Sequence, residues 1–312
     1  MFTPEELTLQ LRGADNSRSS GPVVVIGEVL WDVFPAYTCL GGAPLNFAVN
    51  AKRLGLRPLL ISAVGPDELG ERATRDIQAL GLDCTRLSKS AKWATGTACV
   101  SIDSAGNPVF RIARPAAYDD VPMTSHEAES LAASHPSWLY YGTLFASMPE
   151  TRATLERLFQ ALPGARRFYD VNLRPGFESM TLVADLLSAA DVVKLNESEA
   201  EVVARHFALP QDLRDFCHAA SQQFGWTAVC ITLGERGCAI YHRGDFVQAD
   251  GEVIQVIDTV GAGDASAAAF LHGLNMNWPV ARIARFANRV GAVVASREGA
   301  TPDWTILEVA IA

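Results

Sequence analysis

The stretch Ile257-Asp258-Thr259-Val260-Gly261-Ala262-Gly263-Asp264-Ala265-Ser266, continued by Ala267-Ala268-Ala269-Phe270-Leu271, decides how the chain is read. It reads as a strand over 253–257, a glycine turn, and a helix with a small-residue face. The first turn of a helix leaves backbone N–H groups without intrahelical partners, and the macrodipole adds partial positive charge there. Such a junction binds an anion without any lysine, and Gly261 and Gly263 let the backbone approach it closely. A carboxylate at Asp264 can orient and deprotonate a hydroxyl brought to the same spot, so the stretch offers the two requirements of phosphoryl transfer. A helix-capping aspartate and two turn glycines would look the same locally. A dinucleotide site is disfavoured because Ser266 stands where a third glycine is needed and the motif lies late in the chain. No G-x-x-x-x-G-K-[ST] occurs, which removes the ordinary P-loop.

Working outward, strands are expected at 23–26, 59–64, 137–141, 167–171, 191–195 and 228–232. Helices are expected at 43–55, 68–80, 149–161, 179–189, 197–206 and 211–224. This alternation predicts a doubly wound α/β fold, a mostly parallel sheet with helices on both faces. Two places break the rhythm. Residues 29–40 are β-prone without a helix, and 96–102 with 108–113 form a hairpin pattern around Ser104-Ala105-Gly106-Asn107. Together, over about 29–42 and 95–121, they predict a small β lid at the carboxyl edge of the main sheet. A second hairpin is expected over 238–241 and 246–249. Residues 1–20 read as a flexible polar leader before one domain over 21–312.

The chain has 312 residues, 49% apolar and 20% charged, in line with a globular protein with a sizeable core. Its formal charge is −9, and without a basic block it offers no electrostatic footprint for nucleic acid. The six cysteines show no C-x-x-C pair and mostly sit among apolar neighbours, so they are expected as reduced core residues. No secretory h-region and no membrane-length apolar run is present, which sets a cytoplasmic expectation with no membrane partner.

The run Asp258-Thr259-Val260-Gly261-Ala262-Gly263-Asp264 resembles the D-T-x-G-A-G-D motif of the PfkB, or ribokinase-like, carbohydrate kinases, and the overall pattern is closest to the fructokinases. Gly41-Gly42-Ala43-Pro44-Leu45-Asn46-Phe47-Ala48 through Leu54-Gly55 resembles the N-terminal signature, and Gly27-Glu28-Val29-Leu30-Trp31-Asp32 the first strand with its substrate-facing aspartate. Asp170-Val171-Asn172-Leu173-Arg174-Pro175, the N-x-x-E element Asn196–Glu199 and Thr232-Leu233-Gly234-Glu235-Arg236-Gly237 follow in order. The resemblance spans about residues 22–303.

It implies ATP as donor, Mg²⁺, and transfer to a sugar hydroxyl. Asp264 falls at the catalytic-base position, and the backbone of Gly261, Ala262 and Gly263 at the anion hole. Asp32, Gly42 and Asn46 fall at sugar-contacting positions. Asn196 and Glu199 fall on the element supporting Mg²⁺ and phosphate, partly through water. Thr232, Gly234 and Gly237 line the nucleotide side, with Asn288 toward the adenine. Asp258 and the backbone near Val260, Arg297 and Gly299 match the K⁺ neighbourhood of many relatives, although Val260 replaces a frequent threonine.

A carboxylate such as Asp32 and an amide such as Asn46 suit hydroxyl pairs. Phe110-Arg111-Ile112-Ala113-Arg114-Pro115-Ala116-Ala117-Tyr118-Asp119 departs from the usual fructokinase lid, with Arg114 and Asp119 aligned to its arginine and aspartate. Arg111, Arg114 and Arg174 would equally suit a sugar acid, because arginine forks match carboxylates. Fructose, another neutral sugar such as a ribokinase substrate, and 2-keto-3-deoxygluconate therefore remain open, as does a non-catalytic sensor that binds sugar or nucleotide. Exposed lid edges make a homodimer through the lid a further expectation.

Overall fold

The computed structural model describes residues 21–102 and 108–310. The expected leader and the hairpin tip Ser104–Asn107 lie outside the described residues. The chain opens with β1 (Val23–Ile26), β2 (Leu30–Val33) and β3 (Thr38–Gly41), then α1 (Ala43–Arg53), β4 (Pro58–Val64) and α2 (Glu68–Ala79). Next come β5 (Leu87–Lys89), β6 (Gly96–Ile102), β7 (Pro108–Ile112), α3 (Ser125–Ala133), β8 (Trp138–Gly142), α4 (Thr143–Ala146), α5 (Pro149–Ala161) and β9 (Arg166–Asp170). The second half runs α6 (Met180–Ala189), β10 (Val192–Asn196), α7 (Glu197–His206), α8 (Leu213–Phe224), β11 (Ala228–Thr232), β12 (Cys238–His242) and β13 (Asp245–Ala249). It closes with α9 (Ala262–Asn275), α10 (Val280–Ala295) and α11 (Ile306–Val309).

Nine strands form one sheet in the order β13-β12-β11-β10-β9-β8-β1-β4-β5, parallel except where β12 and β13 turn back as the expected hairpin. Central strands such as Val23-Val24-Val25-Ile26 are buried on both faces, which is why they read as unbroken apolar runs. One core under the sheet takes α1, α9 and α10; the other takes α5, α6, α7 and α8. Chain order reverses about β1, with β4 on one side and β8 on the other. In open α/β sheets the crevice above such a reversal, at the carboxyl ends of the strands, is where ligands bind.

The second sheet has the order β3-β2-β6-β7 and fits the expectation of a separate small sheet. Its outer face is tied to the body. The Trp31 indole N–H donates to the Leu69 carbonyl at 3.0 Å, the Arg72 guanidinium lies 4.3 Å from the Trp31 ring centroid, and Arg72 also donates to Thr38 Oγ1. Its inner face buries Leu30, Ala98, Ala116 and Tyr118.

Two expectations need correction. Residues 253–257 are not a strand, and Val253, Val256 and Ile257 are exposed. The N–H groups of Ile257 and Asp258 both bond the Ala295 carbonyl at the end of α10, so the segment crosses from the sheet edge to α9 without a strand partner. The cysteines are all free, but only Cys217, Cys230 and Cys238 are buried. Cys39 lies on the edge strand β3 of the small sheet and Cys99 on β6 opposite Val33 and the exposed Arg111, beyond the part of the sheet that is buried, and Cys99 is exposed. Among the described residues no helix is long and apolar enough to cross a membrane.

Candidate active site

The glycine turn is a helix start. Gly261 caps α9 in the left-handed region at φ 79°, and Asp264 occupies the first turn. A Cβ on Gly261 would stand 2.2 Å from the Ala300 carbonyl oxygen, so both the conformation and the packing require glycine. The Asp258 carboxylate holds the approach to this turn: Oδ1 accepts from the Val260 N–H at 2.9 Å and Oδ2 from the Gly299 N–H at 3.1 Å. Arg297 turns away to the Asp303 carbonyl and Glu308. Each Asp258 oxygen already accepts from one amide, so a monovalent ion beside Val260 and Gly299 would draw on main-chain carbonyls as well as on the remaining lone pairs of this carboxylate.

Helix α1 brings the opposing groups. Gly42 caps it at φ 115°, and a Cβ there would meet the Glu28 carbonyl oxygen at 2.4 Å. Asn46, one turn on, donates through Nδ2 to Asp264 Oδ2 at 2.9 Å. Its Oδ1 is buried with no partner among the described residues, an acceptor free for a ligand hydroxyl. Asn50 Nδ2 bonds the Asn46 carbonyl, and the Trp304 indole N–H bonds Asn50 Oδ1, which fixes this side of the helix. Asp32 sits on the inner face of β2, its Oδ2 close against Gly41, where a Cβ would stand 2.8 Å away.

Burial lifts the Asp264 carboxyl from 3.8 to about 6, helped by Asp170 and opposed by Lys194, Asn46 and Arg174. Burial likewise lifts Asp32 to about 6, against the pull of Arg174. Arg174 acts on both carboxylates and makes no side-chain hydrogen bond or ion pair with a described residue. Arg114, expected at a substrate-binding position with Asp119 beside it, is already engaged by protein groups. Its side chain is 4% exposed, paired with Asp119, and donates to the Leu144 carbonyl at 2.7 Å and Ser147 Oγ at 2.5 Å. It clamps the end of the small sheet to the body. Arg111 is exposed.

On the other side, Asn196 and Thr232 are paired in register at the ends of β10 and β11. Asn196 caps α7 through a reciprocal box with Glu199. Each oxygen of the Glu199 carboxylate accepts one backbone N–H, from Leu173 and from Asn196, at 2.8 Å each. Gly234 and Gly237 both have positive φ, and a Cβ on Gly237 would meet Ala249 O at 2.1 Å. Asn288 donates Nδ2 to the Ala249 and Asp250 carbonyls, so it pins the 249–251 loop beside Gly237. Among the described residues no cluster of three or more His, Cys, Asp or Glu is placed to hold a metal ion. A divalent cation here would arrive with phosphate oxygens and water, as Mg²⁺ commonly does.

A family model described as pfkB family carbohydrate kinase matches residues 37–306. The chain belongs to that family. This carbohydrate kinase, a phosphotransferase acting on a sugar hydroxyl, is 28% identical to a fructokinase of Escherichia coli over 90% of this chain and 95% of the relative. A solved sugar kinase of Pyrococcus horikoshii in complex with ATP superimposes with a TM-score of 0.73 at 26% identity, covering 90% and 95% of the two chains. The fructokinase of Xylella fastidiosa with bound ATP shares the fold, with a TM-score of 0.79 at 24% identity over 92% and 96%.

The kinase also carries site residues that the sequence reading did not single out. Glu28, Tyr140, Thr143, Asp170 and Asn172 line a small cavity at the carboxyl ends of β1, β8 and β9. Burial lifts Glu28 to about 7. Asp170 Oδ2 accepts from the Tyr140 hydroxyl at 2.9 Å and Oδ1 from Lys194 Nζ at 3.1 Å, a fully interior group of three. The available signal was charge inside an apolar strand: Lys194 interrupts Val192-Val193-Lys194-Leu195, and Asp170 ends Phe168-Tyr169-Asp170.

Proposed function

We propose that the protein is an ATP-dependent kinase of a neutral sugar, fructokinase-like, with Asp264 as the general base. One observation carries this reading: Asp264 stands in the first turn of α9, beside the Gly261–Gly263 amides, and is held by Asn46 from the opposite helix. The sugar lies between Asp32, Gly42 and Asn46, with Arg174 at its side. Its reacting hydroxyl faces Asp264, which takes the proton as the oxygen bonds to the γ-phosphorus. The bond from that phosphorus to the bridging oxygen breaks, and ADP leaves. Amides of Gly261, Ala262 and Gly263 hold the charge on the migrating group. Asn196, Thr232, Gly234, Gly237 and the loop pinned by Asn288 wall the nucleotide. Mg²⁺, when bound with ATP, neutralises charge on the β- and γ-phosphates, and Glu199 orders the backbone that faces it. K⁺ beside Asp258 would stiffen the hole through carbonyls near Val260, Arg297 and Gly299. The small sheet serves as the lid, and its edges offer a homodimer surface.

Charge balance favours a neutral sugar over a sugar acid. Glu28, Asp32, Asp170 and Asp264 all meet at this crevice, while Arg114 is paired with Asp119 and Lys194 with Asp170. Arg174 alone among these cations has no ion-pair partner among the described residues, and a substrate carboxylate that paired with it would still face the carboxyls of Glu28, Asp32 and Asp264. A panel of fructose, ribose and 2-keto-3-deoxygluconate, read by coupled ADP release, should give its highest kcat/KM with fructose. A preference for the acid would overturn the substrate assignment and leave the kinase assignment standing. Sugar binding without ADP formation in Mg²⁺ and K⁺ would overturn the kinase assignment in favour of a sensor.

The raised carboxyls also set a pH profile. Asp264 must be ionised to accept a proton, and Asp32 to accept hydroxyl hydrogen bonds, and both have values of about 6. kcat/KM should therefore fall below about pH 6, more steeply than the roughly tenfold per unit that one group gives. A profile flat down to pH 5 would remove Asp264 from the base role.

A further inference from the structure

We propose that Lys194 is a further catalytic residue, a side-chain donor that completes the Gly261–Gly263 hole and touches the transferring phosphoryl group. This rests on the kinase assignment above. Residues alternate along β10, so Val192 and Lys194 face the core that contains α9, while Val193 and Leu195 face the other. Lys194 Nζ reaches the start of α9: a Cβ on Gly263 would lie 3.4 Å from it. The lysine side chain is 7% exposed, so its ammonium is delivered to the hole through the protein and not from solvent.

An ammonium has three donors. One goes to Asp170 Oδ1 at 3.1 Å, and the other two have no partner among the described residues. Donors of a buried cation call for acceptors, and the oxygens of a phosphoryl group at the Gly261–Gly263 turn are of the charge and kind to supply them. Asp170, Glu199 and Asp264 keep the ammonium charged in spite of its burial, and Asp170 is itself anchored by the Tyr140 hydroxyl. The Asp170–Lys194 pair stands in register across the adjacent parallel strands β9 and β10, which makes it a rigid mount. Amides alone give the hole dipoles. Lys194 adds a full positive charge on the side facing the sheet, where the migrating group is most shielded from water.

The test separates this role from a purely structural ion pair. Lys194→Met should lower kcat by about 10² to 10³, the effect of removing one donor to developing charge. Because that variant leaves the Asp170 charge buried and unpaired, the decisive protein is the double variant Asp170→Asn/Lys194→Met, which removes both charges together. Its folding is checked by thermal melting. It should stay slow by a similar factor. In calorimetry it should bind a non-hydrolysable ATP analogue at least about tenfold more weakly than wild type, with ADP affinity unchanged, since only the triphosphate carries the group that Lys194 meets. Lys194→Arg should recover part of the rate. A double variant with wild-type kcat and wild-type analogue affinity would overturn the proposal while the wild-type ADP release keeps the kinase assignment intact. A wild-type chain that turns over no sugar would overturn both.

Discussion

Replacing Asp264 by asparagine should reduce kcat by about 10² to 10⁴, the usual contribution of a positioned general base, with ATP affinity nearly unchanged. Asparagine keeps the shape and can still meet Asn46 across the 2.9 Å contact, so the loss isolates the proton acceptor from the geometry. The same variant has a stability signature of opposite sign. Asp264 has its folded-state value raised by burial from 3.8 to about 6. A carboxyl of this kind favours folding when protonated and loses that contribution as the pH rises through about 6. Asp264→Asn should accordingly melt above wild type at pH 8. The gap should narrow below pH 6 and close below the usual carboxylate range. Turnover near wild type would remove Asp264 as base, and equal melting temperatures at pH 8 would show that its charge is not held at a penalty.

Gly261→Ala should be nearly as damaging to turnover. The new methyl would meet the Ala300 carbonyl oxygen at 2.2 Å, in a backbone conformation of φ 79° that alanine adopts poorly. Relief requires the 258–264 turn or the 299–301 segment to move, and either shift misaims the amides that cradle phosphate. The expected loss is about 10² to 10³ in kcat, as for one misplaced donor to developing charge, with roughly 1 to 3 kcal/mol of stability. Gly225→Ala is the matched comparison. It has the same φ of 79° at the end of α8, with nothing within 4 Å of the added carbon. That variant should lose stability through backbone strain alone and keep its kcat. Equal kcat in the two variants would separate the hole from the geometry of this turn.

Much of this was legible from the chain because it follows from local chemistry. The Gly261-Ala262-Gly263-Asp264 start of α9, the alternation of apolar runs with amphipathic segments, and the β-prone stretches of the small sheet each have a period or a turn residue that announces them. What escaped depends on partners distant in sequence. Nothing in Val192-Val193-Lys194-Leu195 says that register sets Lys194 opposite Asp170, 24 positions earlier. Arg114 has a near partner in Asp119, but its other acceptors lie in the Leu144–Ser147 turn, about 30 positions on, which only the fold brings to it. The 253–257 segment has the composition of a strand, yet its first N–H partner is the end of α10. Apolar neighbours in sequence also cannot tell an edge strand or the open end of a small sheet from a core strand, which is why Cys39 and Cys99 were expected in the interior.

The attachment of Trp31 on β2 to Leu69 and Arg72 of α2 fixes when the wall carrying Asp32 becomes ordered. That entropy is lost once, as the chain folds, and not anew with each arriving sugar. Among the described residues, the stacked pair Phe34 and Tyr37 between β2 and β3, with ring centroids 4.5 Å apart and Tyr37 open to water, lies beyond that anchored part and is left to adjust around an entering molecule. The pocket thus works as a preformed cup with a small movable rim, and mutations that retune which sugars enter should accumulate at that rim before they reach the cup.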